Sequence, residues 1–432
     1  MTTRLDLMMR DPTLVRNFCM LAHVDHGKTT LSDILIATNG YISQGLAGKL
    51  RFMDSREDEQ IRQITMKVSS IVLQYEQEGK RYLLNLLDSP GHIDFSSEVS
   101  TAVRLCDGGI VLVDAIDGVG IQTQVVLQQA FREKVKMCLV INKVDLLFTT
   151  LKLSPQEAYE TLASIIAGVN VVMSSLVNAE QIEKAGLGTD GDEDNEEEVD
   201  TDDWFMPHKG NVVFGSAIHG WGFSIEDFAR VWAEKLKCNP KALTRALWGE
   251  HYLEMVKGKD PRIVKKPPKP GALPMFVKFC MEPIAQMYDV IYTNPDEAKR
   301  DSMIEKLKLA NIRKNDLRSR EPEVIVRAVL SAWLPLARAV MTLVTSHIKP
   351  PNVQQKARLP ALFPELCDKK QQGSEFHRRL RADMERGDAD SEFLVAYVGK
   401  MYEVDSTGIF MEGEKKEEQL LAFTRVFCGT LR

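Results

Sequence analysis

An α/β fold with a mostly parallel sheet covered by helices on both faces is predicted by three features of the 432-residue sequence. Short continuous apolar runs recur through its first half, and helix-length segments separate them. The recognisable polar residues fall just after the C-terminal ends of these runs, where ligands bind in an open α/β sheet. The runs are "NFCMLA" from Asn17, "RYLLNLLD" from Arg81, "GGIVLVDA" from Gly108, "KMCLVIN" from Lys136 and "NVVFGSA" from Asn211.

The connecting segments carry helix signals. After "KMCLVIN", Ser154 can cap, Pro155 suits the first helical position, and Glu157 completes a capping box. Ala158, Leu162, Ile165, Ile166, Val169 and Val172 continue as a helical stripe. "SIEDFARVWAEKL" from Ser224 is a second amphipathic helix. From about residue 238 the texture changes to a basic, Pro-rich loop, "KGKDPRIVKKPPKPGALP", followed by a mixed α/β stretch to roughly 329. "SAWLPLARAVMTLVTSHIKPP" reads as one helix stopped by Pro350 and Pro351. "EFLVAYVGKMYEVDS" and "LLAFTRVFCGTLR" read as strands. Two or three strands make no stable sheet alone, so the last domain is expected to be incomplete.

Bulk composition narrows the function classes. The net charge of −6 conceals an asymmetry, because Thr189–Trp204 holds ten acids and no base. Without those ten charges the remainder carries +4, a mildly basic body. The acidic run is expected to be a disordered surface insertion. No apolar run approaches a membrane span, and the N-terminal residues lack the apolar stretch of a signal peptide. The seven cysteines are scattered and never spaced C-x-x-C; Cys19, Cys106, Cys138 and Cys428 lie in apolar runs. They read as reduced core thiols of a cytosolic protein rather than zinc ligands.

Four motifs carry chemistry. "AHVDHGKTT" from Ala22 keeps the end of a phosphate-loop signature in Gly27, Lys28 and Thr29. Gly27 lets backbone N–H groups approach phosphate, Lys28 can reach the outer phosphates, and the Thr29 hydroxyl can hold Mg²⁺. The helix starting there aims its N-terminus, with Thr30 in the first turn, at an anion. "DSPG" follows a buried strand: Asp88 can bind Mg²⁺ through water, and the Gly91 N–H can meet a γ-phosphate. "NKVD" supplies Asn142, Lys143 and Asp145. The Asp145 carboxylate can accept from guanine N1–H and the N2 amine, a donor pair adenine lacks, giving discrimination of about 10⁴ or more. "SAI", Ser216, Ala217 and Ile218, closes the base pocket with backbone groups for the guanine carbonyl. Together these specify a guanine-nucleotide site.

The stretches "AHVDHGKTT", "DSPGHIDFSSEV" and "NKVD" resemble the translational GTPases, in particular the group containing elongation factor two. In that group the loop begins with alanine. The resemblance implies a phosphate-loop GTPase domain with GTP as substrate and Mg²⁺ as cofactor. It implies that Asp25 binds a monovalent cation (K⁺) between its carboxylate and the phosphates. The physics agrees, since an acid beside polyphosphate needs a cation between them. His26 lies in the phosphate-binding loop, where both it and His23 are expected to act as scaffolding. The resemblance assigns His92 the positioning of attacking water. "REDEQIRQITMKVSS" (56–70) resembles the family's first switch, with Thr65 closing over Mg²⁺; Gln63 stands where many relatives have glycine.

The resemblance covers nearly the whole chain. It implies a G domain over 13–236 and 330–350, interrupted by the acidic insertion at about 183–206, with an inserted subdomain at 237–329. A linker at 351–390 and the start of a β-barrel second domain at 391–432 follow. "NGYISQGLAGKLRFMDSREDEQIRQITMK" is most similar to the elongation-factor-like GTPases of ribosome assembly. That group implies the large ribosomal subunit and its RNA as partners. It also implies the Shwachman–Bodian–Diamond syndrome protein, an anti-association factor to be evicted, and a monomer acting in the cytoplasm. Two alternatives stand beside it: a translocase of the elongation factor two type, and a GTP-binding module that docks on ribosomes without productive turnover.

Overall fold

Seven strands pair into one sheet: β1 (Val15–Ala22), β2 (Ser69–Gln77), β3 (Lys80–Asp88), β4 (Gly108–Asp114), β5 (Lys136–Asn142), β6 (Val212–Ser216) and β7 (Trp221–Phe223). The computed structural model describes residues 11–54, 57–62, 64–186, 204–254, 262–309, 312–367, 374–404 and 419–431. The ten acids of the acidic run, Gln63 and Arg56 lie outside these residues.

The spatial order is β2-β3-β1-β4-β5-β6-β7. Every pairing from β3 to β6 is parallel; β2 and β7 are antiparallel edges. The five expected strands are therefore the parallel interior, and the two edges were not read from sequence. The pattern of β2 mixes buried and exposed positions, as suits a half-solvated edge, and β7 is only three residues long. The chain leaves β1 towards the β2 edge, and the connection from β3 crosses back over β1 to β4 on its other side, which makes the end of β1 a switch point of the sheet.

Helices α1 (Lys28–Thr38), α2 (Ser96–Leu105), α3 (Ile121–Arg132), α4 (Asp145–Thr149), α5 (Pro155–Gly186) and α6 (Ile225–Leu236) follow successive sheet elements. Side chains alternate between two cores. Phe18, Met20, Ile110, Leu112 and Val140 face α1, whereas Cys19, Leu21, Val111, Val113 and Ile141 face α2, α3 and α5. Such continuous apolar strands exist because both faces are covered.

Helix α5 starts at Pro155 behind the expected box: the Ser154 N–H donates to Glu157 Oε2 (2.8 Å), and the Glu157 N–H to Ser154 Oγ (3.3 Å). It runs to Gly186, further than its stripe suggested, and is long and apolar enough to cross a membrane. That corrects the expectation that no apolar segment approaches such a length. Here Ala158, Leu162, Ile165, Ile166, Val169 and Met173 are buried in the core beside α3.

Beyond α6 come α7 (Pro240–Leu247), the short antiparallel pair β8 (Tyr252–Glu254) and β9 (Arg262–Val264), α8 (Glu282–Tyr288) and α9 (Glu297–Lys306). Single π-helical turns, Val277–Met281 and Asp289–Thr293, flank α8. The one helix expected around Pro335 is two, α10 (Pro322–Trp333) and α11 (Leu336–His347). Proline has no N–H and drives its predecessor out of the α region, as the Leu334 angles of φ −128° and ψ 72° show. The break lets Pro335 bridge to Trp221 and turns α11 onto the α1 face.

The stretch expected as a linker carries α12 (Pro351–Leu362) and α13 (Glu375–Arg386). Arg358 of α12 is fully buried, and its guanidinium donates to the carbonyls of Val103 (3.1 Å), Glu133 (3.0 Å) and Cys106 at the ends of α2 and α3. It satisfies helix-end acceptors that would otherwise be buried alone. Strands β10 (Val395–Val404) and β11 (Gln419–Cys428) form an antiparallel pair, as expected for the start of a β-barrel domain. Lys400 of β10 pairs with Glu98 of α2 at 2.5 Å.

Candidate functional site

The loop between β1 and α1 is shaped by backbone demands. Gly27 precedes the helix at φ +91°, and a Cβ there would fall 2.3 Å from Asn142 Nδ2. Asp25 is exposed and sits in the left-handed region at φ +63°, which aspartate tolerates better than most residues. The His26 side chain turns inward, its Nδ1 3.2 Å from the Leu112 carbonyl, and burial pushes its pKa down. Its imidazole is therefore structural. His23 contacts Gln122 and packs edge-on against His26 at 5.0 Å.

Lys28 is 7% exposed, and its ammonium donates to Asp88 Oδ2 (2.8 Å) and Thr65 Oγ1 (2.9 Å). Loop, strand end and first-switch segment thus meet at one cation. Asp88 is completely buried; burial pushes its pKa up and outweighs the opposing pull of Lys28. Its other oxygen, Oδ1, has no hydrogen-bond partner. Thr29 and Thr30, in the first turn of α1, are half-buried.

Three acids that sequence reasoning missed organise the switch segment. Thr65 donates to Asp54 Oδ1 (2.7 Å), and Asp54 is fully buried against Arg51 (2.6 Å). Glu59 Oε1 accepts from the N–H groups of Met66 (2.8 Å) and Lys67 (2.9 Å). Asp33 of α1 accepts from the backbone N–H groups of Gly48, Arg51 and Phe52 at 3.0–3.1 Å. Asp33 had a signal, an acid set between the apolar Leu31 and the run from Ile34 to Ala37; Asp54 had none.

Gly91 lies against the loop, where a Cβ would meet the Ala22 carbonyl oxygen at 3.0 Å and Val24 N at 3.2 Å. A side chain here would push the two backbones apart by a few tenths of an ångström. His92 is half-exposed in the next turn. The Asp94 N–H donates to His92 Nδ1 (3.3 Å), and Phe95 packs on the ring at 6.2 Å.

On the far side of the loop, Asn142 is a brace rather than a free hydrogen-bonding group. Its Nδ2 donates to the His26 carbonyl (2.9 Å), and its Oδ1 accepts from the Ala217 N–H (2.8 Å). The three motifs are locked together at this residue. Lys143, at φ +60°, pairs with Asp114 at 2.6 Å. Asp145 is buried at the start of α4, Ser216 is buried at the end of β6, and Ile218 is exposed. The expected residues therefore gather along one edge of the sheet, at the C-terminal ends of β1, β3, β5 and β6.

A strand, phosphate loop and helix at the switch point of a parallel sheet, with Asp88 ending β3 on one side of the loop and Asn142 ending β5 on the other, define a phosphate-loop G domain. The chain belongs to the family described as elongation factor Tu GTP binding domain, which matches residues 13–333. It is 42% identical over 422 residues to human "Elongation factor-like GTPase 1", covering 93% of this chain and 37% of that protein. It is 39% identical over 436 residues to "Ribosome assembly protein 1" of Saccharomyces cerevisiae, covering 94% of this chain and 38% of the relative. The chain thus spans little more than a third of the length of these relatives.

Proposed function

We propose that the chain binds and hydrolyses GTP, and that it powers late cytoplasmic maturation of the large ribosomal subunit by releasing an anti-association factor. The convergence of Lys28, Thr65 and Asp88 carries the first half of this reading. It brings loop, first switch and "DSPG" strand end within hydrogen-bond distance of one another. The names of the two relatives support the second half.

In this reading the α1 N-terminus and Lys28 bind the phosphates, through the backbone N–H groups from Asp25 to Thr30 and the ammonium. Thr29 and Thr65 hydroxyls with Asp88, through water, hold Mg²⁺. The unpartnered Asp88 Oδ1 fits that assignment. The ion would offset phosphate charge as it builds. Asp25, exposed in the loop, would share K⁺ with the phosphates. The Gly91 N–H faces the γ-phosphate, and His92 orients the attacking water from its half-exposed turn. Lys143 and Asp145, with the turn Ser216–Ile218, hold the guanine ring. Asn142 contributes by fixing the His26 and Ala217 backbones on either side.

The ribosomal large subunit and its RNA are the proposed partners, together with the Shwachman–Bodian–Diamond syndrome protein, and the protein acts as a monomer. The test is GTP turnover in potassium buffer by a form extended to the length of its relatives. Large subunits carrying the anti-association factor are compared with mature ribosomes bearing tRNA. Stimulation with factor release on the immature subunits is expected. Stimulation with tRNA movement and no release would make the protein a translocase. Binding without turnover on either would make it a docking module.

A further inference from the structure

The two base-recognition motifs are joined by one side chain from far along the chain. Tyr288 ends α8 and is 2% exposed. Its ring stacks on Phe148, one helical turn beyond Asp145, with centroids 5.6 Å apart. Its hydroxyl lies 2.8 Å from both Trp221 Nε1 and His219 Nδ1. His219 is 4% exposed and directly follows "SAI"; its Nδ1 is 3.9 Å from Asp145 Oδ2. Tyr292 brings its hydroxyl to 3.4 Å from His219 Nε2.

Proton positions follow from these contacts. An indole N–H can only donate, so the Tyr288 oxygen accepts from Trp221. The buried phenol proton then needs an acceptor, and among the described residues His219 Nδ1 is the one within reach. Nδ1 therefore carries no proton, and the Nε2–H faces Tyr292. A neutral ring in this form offers Asp145 no N–H, which leaves both carboxylate oxygens to guanine N1–H and the N2 amine. A protonated ring would set a cation beside that carboxylate and compete with the base.

We propose that Tyr288 and His219 are positioning residues for base recognition: Tyr288 holds His219 neutral on Nδ1 and thereby keeps Asp145 free for guanine. The assignment rests on the guanine-nucleotide reading above. Burial works in the same direction by pushing the His219 pKa down, helped by Arg327 of α10. Asp145 of α4 and Glu323 of α10 oppose it, and the two tyrosines supply the remaining facing groups. The segment between α7 and α10 thus sets the state of a pocket built by the sheet.

Tyr288→Phe keeps the stacked ring and removes only the hydroxyl. His219 then loses the phenol proton that occupies Nδ1, which frees that nitrogen to take up a second proton in acid. GDP affinity of the 432-residue variant, read with a fluorescent analogue, should match the unaltered protein at pH 8. At pH 5.5 it should be severalfold weaker than that of the unaltered protein, in proportion to the share of His219 that has become charged. Adding His219→Asn should abolish this acid-specific loss. Equal affinities at every pH, or an equal loss at every pH, would overturn the proposal. Should Tyr288→Phe fail to fold, ¹⁵N shifts of His219 in the unaltered protein decide the matter: the neutral Nε2–H form is expected between pH 6 and 8, and an Nδ1–H or charged ring refutes it. Failure of the guanine reading would show differently, as no preference for GDP over ADP in the unaltered protein at pH 8.

Discussion

Gly27→Ala tests the brace between the phosphate loop and the base pocket. The left-handed backbone at φ +91° costs an alanine about 1–2 kcal/mol. Its Cβ would fall 2.3 Å from Asn142 Nδ2, so Asn142 must turn away. That strips partners from the His26 carbonyl and the Ala217 N–H, at about 1–3 kcal/mol for each buried orphan. The single substitution should therefore cost about 3–8 kcal/mol, and Asn142→Ala alone about 2–6 kcal/mol. Since both lose the same two hydrogen bonds, the double variant should cost no more than Gly27→Ala. Urea unfolding of the four proteins gives the coupling energy, expected at about 2–6 kcal/mol. Additivity within about 0.5 kcal/mol would refute the account.

Three further predictions concern separate parts of the molecule. Lys28→Met leaves Asp88 buried without its cation and should cost about 3–5 kcal/mol at pH 8. Burial raises the Asp88 pKa in the folded state and loss of the ammonium raises it further, so the variant gains more from protonation and the deficit should shrink as pH falls towards 5; urea unfolding at both pH values checks the sign. His92→Ala should lower GTP turnover and spare GTP affinity, measured by single-turnover kinetics and equilibrium binding; an equal collapse of both would remove its assigned role. Arg358→Ala strips donors from three carbonyls at the ends of α2 and α3, a loss of about 3–9 kcal/mol in urea unfolding at about 1–3 kcal/mol for each. Arg358→Lys should recover only part of it, because an ammonium cannot span the same fork.

The parallel interior of the sheet and the order of the four motifs were legible in the sequence because their causes are local. An apolar run reports a strand buried on both faces, and a loop that must receive phosphate needs Gly27 and Lys28 beside each other. The antiparallel edges were less legible: β2 is half-solvated and β7 spans three residues, so neither produces a strong pattern. Pro335 was visible as a residue, yet the apolar periodicity around it ran through the break.

The sequence by itself determined the fold class and the order of the four nucleotide motifs, through chemistry carried by neighbouring residues. Only the tertiary structure decided which groups those motifs hold in place. Asn142 reaches a carbonyl 116 residues away, Arg358 one 252 residues away, and Tyr288 a histidine 69 residues away. The physical reason is that a buried polar group must find its partner in space, and packing chooses that partner without regard to separation along the chain.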